Sequence, residues 1–207
     1  MAMKKCAKFV LLTGLLFTIA SHVTAQDTII RYKKTLVPNY INFQYAGNYG
    51  AYILGAGYFM NKKQTVNLVV GYGYTSKHKA ATRIHNVFLK GILIPISWEL
   101  KEAWYLSAQT GITISRQFSG GTNTFTRLPK TYPDGYYAPN AFRFHFNFGG
   151  KVRKYLGEER FIKAIDFYIE TTTNDLYLTY LFKSKEVALR NIFSMAFGIN
   201  LIIFDKN

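Results

Sequence analysis

Residues Ala141 to Arg153 read A-F-R-F-H-F-N-F-G-G-K-V-R. Phe142, Phe144, Phe146, Phe148 and Val152 fall on one parity, and Arg143, His145, Asn147, Lys151 and Arg153 fall on the other. A period of two is that of a strand, whose successive side chains point to opposite faces. This strand has one wholly apolar face and one wet face. A soluble barrel would turn the phenylalanine ladder inward, whereas a membrane barrel would turn it toward lipid, so the rest of the chain must decide.

The alternation recurs on both sides of that strand. Ile41, Phe43 and Tyr45 alternate with Asn42, Gln44 and Ala46; after a tight Gly47-Asn48 connection, Tyr52, Leu54, Ala56 and Tyr58 alternate with Ile53, Gly55 and Gly57. Past a polar turn at Asn61 to Gln64, Val66, Leu68, Val70, Tyr72 and Tyr74 oppose Asn67, Val69, Gly71 and Gly73. A fourth strand, Asn86 to Glu99, is apolar on both faces after Gly91 and carries Pro95, which predicts a bulge or an early end. Trp104 to Ser115, Ile165 to Thr171 and Ile192 to Ile203 bring the count to eight strands, ten being the alternative. Residues 172–189 are ambiguous, since Leu176 to Phe182 could prolong a hairpin.

Connections alternate in length: those at 75–85, 118–140 and 172–189 are long, whereas 61–64, 100–103 and 155–160 are short. Up-and-down membrane barrels have short periplasmic turns and longer outer loops. The first connection, near Gly47, is the exception, because it falls on the long side and is short.

The non-apolar face decides the orientation. Ala46, Gly55, Gly57, Gly71, Gly73, Gly111, Gly149, Ala196 and Gly198 sit there among a few polar residues. A water-facing surface has no reason to be so small, while the interior of an eight-stranded barrel is only just wide enough for side chains and must mix small with large. Aromatic residues flank the short turns: Trp98 and Trp104, Tyr58 and Phe59, Tyr155 and Phe161. They predict a belt at one membrane interface, with Tyr45, Tyr52, Tyr72 and Tyr74 near the other. The expected fold is an all-β, closed, antiparallel up-and-down transmembrane barrel over residues 39–207.

The first 25 residues read as a cleaved signal peptide. Lys4, Lys5 and Lys8 precede an apolar run from Phe9 to Ala20 that is too short to span a bilayer, and Val23-Thr24-Ala25 precedes Gln26. Residues 26–38 are then a periplasmic lead-in. The only cysteine, Cys6, lies inside the leader, so the mature chain is expected to hold no disulfide, thiol nucleophile or cysteine-bound metal. Removing three leader lysines lowers the formal charge from +15 to +12 (15 − 3). For an exported chain this balance points away from nucleic acid and toward phosphate-rich lipid.

The leader, the eight alternating segments, the aromatic-rich last strand ending at Phe204 and the Gly71-Tyr72-Gly73-Tyr74 element resemble small outer-membrane β-barrel proteins of Gram-negative bacteria. The Ala25-Gln26 junction and the loop Tyr132-Pro133-Asp134-Gly135-Tyr136-Tyr137 resemble uncharacterised barrels of Bacteroidetes. The resemblance implies Sec export, an outer-membrane location and insertion by the barrel assembly machinery. One departure is that Asp205-Lys206-Asn207 follow Phe204, where such barrels often end on an aromatic residue.

Polar residues of the inward parity form the candidate site. Lys90, Arg143, His145, Lys151, Asp166 and Glu170 are expected to pair in the lumen, with His145 across from Glu170 and Asn147 across from Tyr168. His145 and Glu170 are the only acid–base candidates, and they would serve a lipid-modifying esterase or acyltransferase. Ion pairing within a narrow lumen is the preferred reading. No G-x-S-x-G elbow occurs, and the His-x-Ser pairing of outer-membrane lipid A deacylases is absent, since Phe146 and Asn147 follow His145. Ser107 and Ser115 read as lumen packing, and His78 and His85 as residues of a solvated loop rather than metal ligands. No cofactor is expected.

Lys77, Lys79, Arg83, Arg127, Lys130, Lys183 and Lys185 lie in the long connections and are candidates to hold lipopolysaccharide phosphates. The expected function is a non-enzymatic envelope barrel. A lipid-modifying enzyme, a narrow solute channel and a soluble lipocalin-like barrel follow as alternatives.

Overall fold

A computed structural model describes residues 37–79, 83–119, 141–183 and 191–203. Residues 1–36, which hold the expected leader and most of the expected lead-in, and Arg127, Lys130 and Lys185 lie outside the described residues. Eight strands run in order: β1 (Tyr40–Ala46), β2 (Tyr52–Phe59), β3 (Val66–Thr75), β4 (Ile84–Lys101), β5 (Trp104–Ser119), β6 (Phe142–Tyr155), β7 (Ile162–Asn174) and β8 (Ser194–Ile203). Each pairs antiparallel with its neighbour, and β1 closes on β8 from Tyr40↔Ile202 to Ala46↔Ala196. The fold is a closed eight-stranded up-and-down barrel, which leaves no sheet edge unpaired.

Parity separates the two faces as the alternation predicts. Phe43, Leu54, Val70, Leu89, Ile112, Phe144, Phe167 and Phe197, one from each strand, are exposed on the outside. Asn42, Asn67, Lys90, Thr113, His145, Asp166 and Asn200 are buried on the inside, with Ile53 and Val69 contributing an apolar patch. Three glycines of the inner face, Gly57, Gly71 and Gly198, lie under aromatic rings. A Cβ on Gly57 would stand 2.0 Å from Tyr40 Cζ, and one on Gly198 would stand 2.1 Å from Tyr168 Cζ. A side chain there would have to displace a ring, which is why the face mixes the smallest residue with large ones.

Several local expectations require correction or detail. The β4–β5 register shifts between Leu93 and Ile96, around Pro95, where the missing N–H interrupts the ladder. Residues 175–183 are not an extended hairpin but a helix, α1 (Asp175–Lys183). Asn174 Oδ1 accepts from the Tyr177 backbone N–H at 2.8 Å, a side-chain cap that starts the helix as β7 ends. Phe59 is not in the outer belt: it is buried against Tyr40, with ring centroids 5.3 Å apart, because its parity in β2 is inward. Tyr155 likewise shares the inward parity of Arg153 and packs against the same core.

The β6–β7 register also differs from the expected one. His145 pairs with Asn174 and Asn147 with Thr172, whereas Glu170 faces Gly149 and Tyr168 faces Lys151. The connection is centred between Glu159 and Arg160 and not near Gly157, since Tyr155 pairs with Ala164, and that two-residue displacement of the centre slides the pairing by four residues. A four-residue slide preserves parity, so the inward set is unchanged while every cross-strand partner is new.

Candidate functional site

The lumen is crossed by one hydrogen-bonded polar network anchored on two buried ion-pair clusters. Toward the long-connection end, Lys90 Nζ donates to both Glu170 oxygens at 2.8 and 2.6 Å, and the Tyr49 hydroxyl donates to Glu170 at 3.0 Å. Toward the short-turn end, Asp166 accepts from Arg153 Nε at 2.6 Å, Arg153 Nη2 at 2.9 Å and Lys151 Nζ at 3.1 Å. The Arg153 contact is a two-pronged fork, the strongest geometry for this pair.

Neutral groups join the clusters. The Tyr168 hydroxyl donates to Gln44 at 2.9 Å and accepts from Asn42 Nδ2, which also reaches Asn200 Oδ1 at 2.7 Å. Arg153 Nη1 donates to Gln64 Oε1 at 2.6 Å. Charges nearly cancel: Lys90 balances Glu170, and Asp166 offsets one of Lys151 and Arg153. Burying these groups is tolerable only because each finds such partners.

Both ends of the lumen carry a side chain folded in from a turn. Tyr49, in the short first connection, is 1 % exposed and packs its ring 5.0 Å from Phe88 and 5.2 Å from His145. Asn48 ties that turn down, donating to the Thr172 carbonyl at 3.0 Å and accepting from Ser194 Oγ at 2.7 Å. The first connection is therefore short because it folds into the mouth of the barrel instead of rising from it. At the other end Gln64, buried with a left-handed φ of 54°, plays the corresponding part for the β2–β3 turn.

The sequence-predicted residues thus separate into three groups. Lys90 with Glu170, and Lys151 with Asp166, meet within the lumen. Arg143 stands at the mouth, 3.6 Å from Asp175 at the start of α1. His145 does not meet Glu170; its Nε2 lies 2.8 Å from Ser115 Oγ. Tyr49 and Gln64 are the residues that sequence reasoning passed over, and Ser115 was read as lumen packing. Ser115 was visible only as an inward-facing serine, and Tyr49 and Gln64 sit in turns, where parity says nothing.

The outer surface carries cations over aromatic rings near both rims. At the long-connection end, Lys79 Nζ lies 4.3 Å from the Tyr45 ring centroid and 5.2 Å from that of Tyr52, and Arg116 lies 5.0 and 5.4 Å from Phe118 and Phe142. The Tyr45 hydroxyl accepts a hydrogen bond from Lys79 and raises the pKa of its ammonium. At the short-turn end, Lys154 lies 5.0 Å from Trp104. Lys77 and Arg83 are exposed in the same outer connection as Lys79. No group of metal-ligating side chains occurs among the described residues.

Fold and site together define a class: a small up-and-down β-barrel with an apolar exterior and a polar, ion-paired lumen. No protein-family profile matches the chain, and no curated protein or solved structure matches it either.

Proposed function

We propose that the protein is an integral outer-membrane barrel of a Gram-negative, Bacteroidetes-like cell, and that it strengthens the envelope and binds lipopolysaccharide through its basic outer rim. The observation that carries this reading is the reversed distribution of polarity: exposed apolar side chains on all eight strands around a buried ionic core. A water-soluble protein rarely exposes a contiguous apolar patch beyond a few hundred Å². A lipid-facing barrel requires one.

Dimensions support the same reading. On β5, Trp104 and Arg116 belong to opposite rims and are twelve positions apart (116 − 104). At about 3.3 Å per residue and a tilt of about 40°, that is roughly 30 Å, enough for an apolar band of about 25 Å plus its interfaces. Cations over aromatic rings suit the head-group level, where the ring is half in lipid and the charge meets phosphate. Lys79 and Arg116 stand over rings in this way, and Lys77 and Arg83 are exposed in the same connection as Lys79.

The test is fractionation of cells expressing the full chain, followed by electrophoresis with and without heating. Recovery with outer membranes and a heat-dependent change of migration support the reading; release with periplasmic proteins in the absence of detergent overturns it. A narrow channel is disfavoured by Tyr49 and Gln64, and planar-bilayer recordings without conductance steps would agree. A lipid-modifying activity is favoured by one observation alone, the contact of Ser115 with His145.

A further inference from the structure

We propose that Ser115 and His145 form a nucleophile–base pair that hydrolyses carboxylic esters. The proposal goes beyond the envelope role and holds whichever membrane surrounds the barrel.

Ser115 on β5 faces inward, directly across from Phe88 of β4, and its Oγ lies 2.8 Å from His145 Nε2 on β6. Both residues are almost wholly buried. For Nε2 to accept the serine proton, Nδ1 must carry the other ring hydrogen. That nitrogen is buried and has no hydrogen-bond partner among the described residues. Asp175 Oδ1 is a buried acceptor with no donor, and the Asp175 carboxylate acts electrostatically on His145. Nδ1 and Asp175 Oδ1 are thus both without partners among the described residues, and Asp175 directly follows Asn174, the residue paired with His145; a contact between the two atoms would orient the general base. Asp175 is then a positioning residue, held at the mouth by Arg143 at 3.6 Å.

Other orphaned atoms gather at the same level. Asn147 Oδ1 and Thr172 Oγ1 belong to directly paired residues of β6 and β7, and neither has a partner among the described residues. Asn147 Nδ2 donates to Thr113 Oγ1 at 2.7 Å, which leaves the Thr113 hydrogen free to point elsewhere on the face it shares with Ser115. Buried polar groups without partners mark places where a ligand or water completes the set. Phe88, paired across from Ser115, and Tyr49, whose ring lies 5.2 Å from that of His145, are the apolar neighbours of the pair.

Ser115 Oγ would attack the ester carbonyl carbon while its proton passes to His145 Nε2. The bond to the alcohol oxygen breaks, and that oxygen takes the proton from His145. Water then attacks the acyl-serine, giving its proton to His145. The acyl–Oγ bond breaks, Ser115 recovers the proton and a carboxylic acid leaves. Water is the only co-reactant.

The full-length barrel, shown to be folded by its heat-dependent migration, is incubated with a fluorophosphonate probe and separately with p-nitrophenyl butyrate. The expected result is a covalent adduct that peptide mass spectrometry places on Ser115, and a labelling rate about a hundredfold lower in His145→Gln. Ser115→Ala abolishes both adduct and ester turnover. Because the adduct is mapped on the unaltered chain, the result does not depend on either variant folding. A folded wild-type barrel with no adduct on Ser115, or labelling spread over several serines, overturns the proposal.

Discussion

Lys90 on β4 and Glu170 on β7 meet across the lumen at 2.6 Å, with side chains 4 % and 1 % exposed. The two strands are not neighbours, so this contact ties opposite walls of the barrel. Removing one partner strands the other charge. Glu170→Gln or Lys90→Met should each cost about 3–5 kcal/mol, whereas the double replacement by Met and Leu should cost far less. Urea unfolding of the barrel in detergent micelles, followed by tryptophan fluorescence, measures both. A loss in the double variant equal to the sum of the two single losses would mean that the pair is not coupled.

Gly198 sits beneath the Tyr168 ring. Gly198→Ala should destabilise the barrel by about 1–3 kcal/mol, since the ring must leave its rotamer or the wall must bend. In Tyr168→Ala the same substitution should be nearly neutral. The double-mutant cycle in the same unfolding assay reports the coupling directly.

Ile112 and Phe144 lie on the outer faces of adjacent strands near mid-height. If acyl chains surround them, Ile112→Arg should cost about 2–4 kcal/mol in phospholipid vesicles. The equivalent change on a water-facing surface stays within about 0.5 kcal/mol. Measuring folding in vesicles therefore separates the two environments by a margin larger than the usual error.

Asn174 caps α1 where β7 gives way to the helix. Asn174→Ala should destabilise this end of the barrel by about 0.5–2 kcal/mol. Amide exchange should quicken in residues 175–178 and stay unchanged in β1 to β3.

Much of the fold was legible because the information is local. Each strand announces its two faces within its own few residues, and eight such strands with one apolar face each close into a barrel. Misreadings clustered at strand ends. Phe59 and Tyr155 looked like belt residues from their nearness to turns, yet parity carries both inward. Leu176 to Phe182 alternate well enough for a strand, but the Asn174 cap and the following register favour a turn of helix.

The candidate site was less legible. The inward set of Lys90, Lys151, Asp166 and Glu170 follows from parity, but which of them meet depends on register, and register depends on how far each hairpin runs before it turns. A slide of four residues at β6–β7 exchanged the expected partner of His145 for Asn174. The contact of Ser115 with His145 joins strands separated by the long connection 120–140, whose length gives no register at all.

What the amino-acid sequence determined by itself was which side chains face in and which face out, because backbone geometry turns alternate residues to opposite faces whatever their surroundings. Only the closed tertiary structure decided who touches whom: Tyr49 folding into the mouth, Lys90 reaching Glu170 and Ser115 reaching His145. Those contacts run between strands remote in sequence, and their geometry comes from closing the barrel with one set of registers around a lumen too narrow to leave its charges apart.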